Sequence, residues 1–118
     1  MRPHKKLDLW KFVMEFIVEI YSVTKNFPKE EKYGLVSQIR RAVVSVASNI
    51  AEGAARKSNQ EKIQFFSISK GSLSEIDAQL EISLLLKYLK KEEYEKQIEI
   101  LERISRMLEG LRDYYAKK

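Results

Sequence analysis

A chain of 118 residues that is 44% apolar and 33% charged can bury one core but not two, and is too apolar to remain disordered. It has no cysteine, which excludes disulfides and thiolate metal sites, and no run approaches the roughly 18 apolar residues of a membrane span. The net charge of +5 is uneven, with +3 on residues 1–6 (Arg2, Lys5, Lys6) and +3 on residues 34–57 (Arg40, Arg41, Arg56 and Lys57 against Glu52).

The opening MRPHKKLDLW is basic and lacks the apolar core of a signal peptide. A single cytoplasmic domain over residues 1–118 is expected, opening with a basic tail at 1–6 and without a membrane partner. The first helix is predicted over Leu7–Lys25, with Leu7, Trp10, Val13, Met14, Ile17, Ile20, Tyr21 and Thr24 on one face. Asn26-Phe27-Pro28 ends it, because the residue before a proline is pushed out of the helical region. The second helix starts between Glu30 and Leu35 and runs to about Lys57. Gly34 fits either the turn or the first helical turn.

Ser58 with Glu61 three residues later forms a capping-box pattern for a third helix, predicted to reach about Leu89. One seam along it holds Phe66, Ser69, Leu73, Ile76, Leu80 and Ser83. Another holds Phe65, Ile68, Ser72, Glu75, Gln79, Ile82, Leu86 and Leu89. The fourth opens near Lys91 with Glu92, Glu93 and Glu95 and closes with Arg112, Lys117 and Lys118, as the helix dipole favours. Its two stripes are Tyr94, Ile98, Leu101, Ser105, Leu108, Tyr115 and Ile100, Ile104, Met107, Leu111, Tyr114. Short connections make sequential helices antiparallel, so the expected fold is an all-α, up-down-up-down four-helix bundle. Each helix carries a second apolar stripe beyond what a monomer needs, which points to homo-oligomerisation.

Little here supports catalysis. A di-iron bundle needs Glu-x-x-His pairs on two helices, and the sole histidine is His4 in the basic tail. That also removes a Ser-His-Asp arrangement. Ser67-Ile68-Ser69-Lys70 matches S-x-x-K without its companion motifs, and no glycine-rich phosphate loop occurs. No enzyme activity, cofactor or metal is expected.

The segment Gln38–Gly53, QIRRAVVSVASNIAEG, is the most informative stretch. Ile39, Val43, Val46 and Ile50 form a core stripe, Val44, Ala47 and Ala51 a second one, and the other faces are small. Asn49, Glu52, Gly53, Ser72 and Glu75 are expected to fix helix register or a subunit interface, with Arg41 pairing Glu52 or Glu75. A ligand pocket is the alternative. Gly53 and Gly71, costly by about 1 kcal/mol each inside a helix, suggest close helix approach, although Gly53 could also end its helix. Trp10, Phe12, Phe16, Phe65 and Phe66 read as core. The nucleic-acid candidates are Arg40, Arg41, Arg56, Lys57, Lys5 and Lys6, cations able to meet phosphates.

Leu9-Trp10, Phe27-Pro28, QIRRAVVSVASNIAEG, Phe65-Phe66, Gly71-Ser72-Leu73-Ser74-Glu75 and Met107-Leu108-x-x-Leu111 together closely resemble the bacterial four-helix-bundle proteins of the 23S rRNA intervening-sequence family. The chain is also similar to accessory variability proteins of diversity-generating retroelements. The likeness covers nearly the whole chain, departing at Ala47, where many relatives carry proline. It implies a ring-shaped homopentamer with no established enzymatic activity. It also implies, from the retroelement proteins, contact with RNA or DNA, or with a reverse transcriptase as partner protein, through basic surface.

Overall fold

The computed structural model describes residues 2–118; Met1, the first residue of the expected basic tail, lies outside them. Four α-helices follow in chain order, α1 Leu9–Thr24, α2 Leu35–Ala55, α3 Asn59–Leu85 and α4 Lys91–Ala116, with 3-10 turns at Pro3–Lys6 and Lys29–Glu31. Each helix packs on its neighbour in sequence and α4 returns to α1, while the diagonal pairs α1–α3 and α2–α4 do not meet among the described residues. Links such as Arg40 to Thr24, Lys70 to Glu109 and Gln97 to Glu19 join the first part of one helix to the last part of an adjacent one, as antiparallel packing requires. The fold is therefore an up-down-up-down bundle. Its length of 46 Å is set mainly by α3, whose 27 residues span about 40 Å at 1.5 Å each.

The boundaries follow local chemistry. α1 begins at Leu9 because Leu7 closes the preceding 3-10 turn, its N–H bonded to His4 O at 3.1 Å. The expected free tail is thus a folded turn packed against α2. Gly34 is the N-cap of α2, and Glu31 Oε1 accepts the Leu35 N–H at 3.2 Å, which fixes the start that periodicity leaves open. Ser58 Oγ accepts the Glu61 N–H at 3.1 Å as expected, while the Glu61 carboxylate takes the Ser58 hydroxyl. At α4 the Lys90 N–H donates to Glu93 Oε1 at 2.9 Å.

The end of α3 differs from expectation, at Leu85 rather than Leu89. Lys87 adopts a left-handed φ of 66°. The Tyr88 N–H reaches back to Ser83 O and the Lys87 N–H to Leu84 O, the paired bonds of a Schellman stop. Tyr88 then packs its ring 5.3 Å from Phe27 and donates its hydroxyl to Glu31 Oε2 at 3.0 Å, tying the two connections at this end together.

The core stripe of α2 (Ile39, Val43, Val46, Ile50) and the first seam of α3 (Phe66, Ser69, Leu73, Ile76, Leu80, Ser83) are buried throughout. On α1 the buried stripe is Leu9, Val13, Phe16, Ile20 and Thr24, rotated from the predicted face, so Trp10 and Ile17 flank it. On α4 the stripe is Gln97, Leu101, Ile104 and Leu108, cutting across both predicted ones. The bundle partly covers Ile100, Met107 and Leu111. Val44 on α2 and Ile68, Ile82 and Leu86 on or just beyond α3 stay exposed and leave apolar surface on the α2–α3 side, while Val18 on α1 is exposed apart from them.

Candidate functional site

The basic residues of α2 separate into two groups. Arg40 is half-buried. Its Nε donates to Thr24 Oγ1 at 3.0 Å and its Nη2 to Tyr21 O at 3.2 Å, with the guanidinium 4.5 Å from the Tyr21 ring centroid. It therefore satisfies orphan carbonyl capacity at the C-terminus of α1, a structural task. Arg41 is exposed and makes no hydrogen bond or ion pair among the described residues.

Arg56 and Lys57 lie some 16 positions further on, about 24 Å along the helix axis. Arg56 Nη2 pairs with Glu52 Oε2 at 2.7 Å, and its guanidinium stacks 4.9 Å from the Phe65 centroid. Lys57 is exposed in the α2–α3 connection, and Lys5 and Lys6 are exposed on the N-terminal turn that packs against α2. Antiparallel topology brings Lys5, Lys6, Arg56 and Lys57 to one end of the bundle, away from Arg40 and Arg41.

The polar set on the α2–α3 side divides as well. Asn49 Nδ2 donates to Ser45 O at 2.9 Å and to Ser45 Oγ at 3.2 Å, and Ser45 Oγ shares a hydrogen bond with Ser72 Oγ at 3.0 Å. Buried Ser69 donates to Val46 O at 2.9 Å. Gly53 is buried inside α2, where a Cβ would lie 2.8 Å from Phe66 Cε1 and 3.1 Å from Phe65 Cβ. Small side chains and short hydrogen bonds thus hold α2 close to α3. Gly71 behaves differently from expectation: it is exposed, and a Cβ there would meet nothing within 4 Å. Glu52 and Glu75 stand outside this relay. Glu52 is taken by Arg56 rather than Arg41. Glu75 is exposed on the wall of a groove of about 330 Å³ shared with Gln38, Arg41, Ala42, Ser45 and Gln79.

Two carboxylates are held below their ordinary pKa of 4.5. At Glu19 the chief cause is the hydrogen bond from Gln97, with Lys96 adding to it; at Glu109 it is the hydrogen bond from Lys70. Gln97 is fully buried, its Nε2 donating to Glu19 Oε1 at 2.9 Å. Periodicity does not reveal it, because it replaces an apolar residue at the head of the true α4 stripe. Among the described residues no cluster of three or more His, Asp or Glu is placed to hold a metal ion, and no helix is long and apolar enough to cross a membrane.

The family model of the 23S rRNA-intervening sequence proteins matches residues 5–110. The chain belongs to this family. Its fold is similar to that of a protein with unknown function from the S23 ribosomal protein family of Bacteroides thetaiotaomicron. The two chains superpose with a TM-score of 0.81 at 22% sequence identity, over 89% of this chain and 95% of that one. At this identity the likeness establishes a shared fold. No curated protein matches the chain. The matched span includes all four helices except the last turns of α4, and contains every candidate residue named above.

Proposed function

We propose that this protein is a non-enzymatic, homo-oligomeric bundle of the cytoplasm that holds RNA or DNA phosphates against its basic end. The observation that carries the reading is charge polarity along the long axis. Residues 2–12, 49–64 and 106–118, which share one end, hold eleven Lys and Arg against five Asp and Glu, whereas the remaining residues hold eleven against twelve. The whole net charge therefore resides where Lys5, Lys6, Arg56 and Lys57 meet, a field suited to polyanions. The exposed apolar positions Val44, Ile68, Ile82 and Leu86 support subunit contacts through the α2–α3 side. Five subunits in a ring is the arrangement the family resemblance implies, and it would multiply the basic surface.

Salt-titrated binding of generic RNA and duplex DNA tests the reading. Affinity is expected to fall log-linearly with salt. Replacing Lys5, Lys6, Arg56 and Lys57 by glutamine should flatten a duplex slope by about 0.9 for each phosphate that is no longer neutralised. Absence of binding near about 50 mM salt, where phosphate affinity is greatest, would overturn it. Light scattering at micromolar concentration tests assembly: the wild type should be oligomeric and an Ile68→Asp, Ile82→Asp variant smaller. A second reading, an adaptor docking a partner such as a reverse transcriptase, is supported by Leu85 and Leu86. They are 75% and 50% exposed at the end opposite the basic one. Co-purification that survives the four glutamine substitutions but not Leu85→Glu favours that reading.

A further inference from the structure

We propose that the basic end selects unpaired nucleotides, with Tyr114 as a stacking platform for a base; this rests on the reading of that end as a phosphate-contacting surface. Tyr114 and Tyr115 are consecutive on the last turns of α4 but have different tasks. Tyr115 is half-buried and packs 6.2 Å from Phe66, closing the core. Tyr114 is 52% exposed, and its ring stands nearly perpendicular to that of Tyr115, at 83° and 4.9 Å between centroids. The anchored ring thus props the exposed one, which fixes a flat face in solvent at little entropic cost.

Lys118 Nζ lies 4.6 Å from the Tyr114 centroid, on a flexible stem able to exchange the ring for a phosphate. Asp113, the adjacent carboxylate, is about 100° away around the helix and does not share that face. A solvent-facing aromatic beside a cation is what single-strand binding surfaces combine, since every base offers a π-face. A duplex hides its base faces in its own stack and offers this ring nothing beyond phosphate charge. Core packing accounts for Tyr115 and Phe66; Phe65, expected in the core, is instead half-buried with the Arg56 guanidinium 4.9 Å from its centroid, and Tyr114 is left exposed.

The test compares wild type, Tyr114→Ala and Tyr114→Phe by fluorescence anisotropy at fixed low salt. The probes are an oligo-uridine RNA, an oligo-thymidine DNA and a duplex of equal length. Tyr114→Ala should weaken one or both single strands by roughly 5- to 150-fold, the range for losing one stacked base. Duplex binding, salt slope and thermal midpoint should be unchanged, and Tyr114→Phe should bind as wild type. Which single strand responds identifies RNA or DNA as the source of the base. Equal losses on single strand and duplex, no loss on either strand, or a Tyr114→Phe defect as large as that of alanine would each overturn the inference. If only the four glutamine substitutions reduce binding, the phosphate reading stands and this inference falls. If the wild type binds none of the three probes, both fall.

Discussion

Replacing Gly53 with alanine tests whether α2 and α3 are held together by missing side-chain volume. A Cβ at position 53 would sit 2.8 Å from Phe66 Cε1, 3.0 Å from Phe66 Cδ1 and 3.1 Å from Phe65 Cβ. Phe66 is only 1% exposed, with Tyr115 near its ring, so it has little room to withdraw. Helix propensity alone would make Gly→Ala stabilising by up to about 1 kcal/mol, less here because Ala55 ends the helix two residues later. Overpacking a filled core costs about 1–3 kcal/mol. The balance is a net loss of up to about 2–3 kcal/mol.

Gly110→Ala is the internal control. A Cβ at that position meets nothing within 4 Å, so only the propensity gain remains. The two variants should differ by about 1–3 kcal/mol, with each kcal/mol shifting Tm by roughly 3–5 °C for a domain of this size. Urea and thermal unfolding followed by circular dichroism, at one protein concentration because assembly adds to stability, will measure the difference. Phe66→Leu should recover part of the Gly53→Ala loss, giving a coupling energy of about 0.5–3 kcal/mol in a double-mutant cycle. If Gly53→Ala stabilises as much as Gly110→Ala, the close-approach account of this helix pair is wrong.

Ser69→Ala should cost about 1 kcal/mol by removing the buried hydrogen bond to Val46 O, whereas Ser74→Ala on the exposed face should be nearly neutral; urea midpoints that coincide would remove the energetic role of Ser69. Lys87→Gly should raise Tm, since relieving a non-glycine left-handed residue is worth roughly 1–2 kcal/mol and the added chain entropy offsets about 0.5–1 kcal/mol of it; a fall in Tm would mean the Lys87 side chain contributes packing. The folded pKa values of Glu19 and Glu109 lie below the ordinary 4.5, so their stabilisation is present above about pH 4.5 and is lost as pH falls through the folded values. Thermal midpoints from pH 6 to about pH 3 should therefore drop less steeply in a Glu19→Gln, Glu109→Gln variant than in wild type, and parallel curves would contradict the assignment.

How much of the fold is legible in the sequence depends on whether the deciding interaction is local. The starts of α3 and α4 and the α1 stop are readable, because Ser58 with Glu61, the acidic residues Glu92 and Glu93 after Lys91, and Asn26-Phe27-Pro28 act within one turn, whereas the α2 start, set by Gly34 and Glu31, is not. The end of α3 is not. Leu84-Leu85-Leu86-Lys87-Tyr88-Leu89 continues an apolar helical pattern without glycine or proline, and the stop is made by Lys87 accepting a conformation that glycine normally takes. Periodicity misplaces the buried face of α1 because Leu9, Trp10, Phe12, Val13, Met14, Phe16, Ile17 and Val18 are apolar nearly all round, leaving no polar side to exclude. On α3 the pattern is partly inverted, with Ser69, Ser72 and Ser83 buried while Ile68, Ile82 and Leu85 are exposed. Ser69 and Ser72 go inside there because α2 supplies partners in Val46 O and Ser45 Oγ, whereas Ser83 donates to Gln79 O of its own helix.

The candidate site shows the same limit in a different form. Counting charge in sequence windows places Arg40 and Arg41 with Arg56 and Lys57, since all four lie on or beside one helix. In the bundle, distance from a helix boundary matters more than distance in sequence. Each boundary falls at one of two ends, and the ends alternate as the chain reverses. Lys5 and Lys6 therefore join Arg56 and Lys57 across some fifty intervening residues, together with the last turns of α4. Arg40, near the start of α2, is drawn instead to Thr24 and Tyr21 at the opposite end. Summing charge by boundary parity is what exposes the polarity that window counting blurs into a modest overall excess. It also joins Tyr114 and Lys118 to the same surface, so the stacking ring and the phosphate-facing cations belong to one end of the molecule.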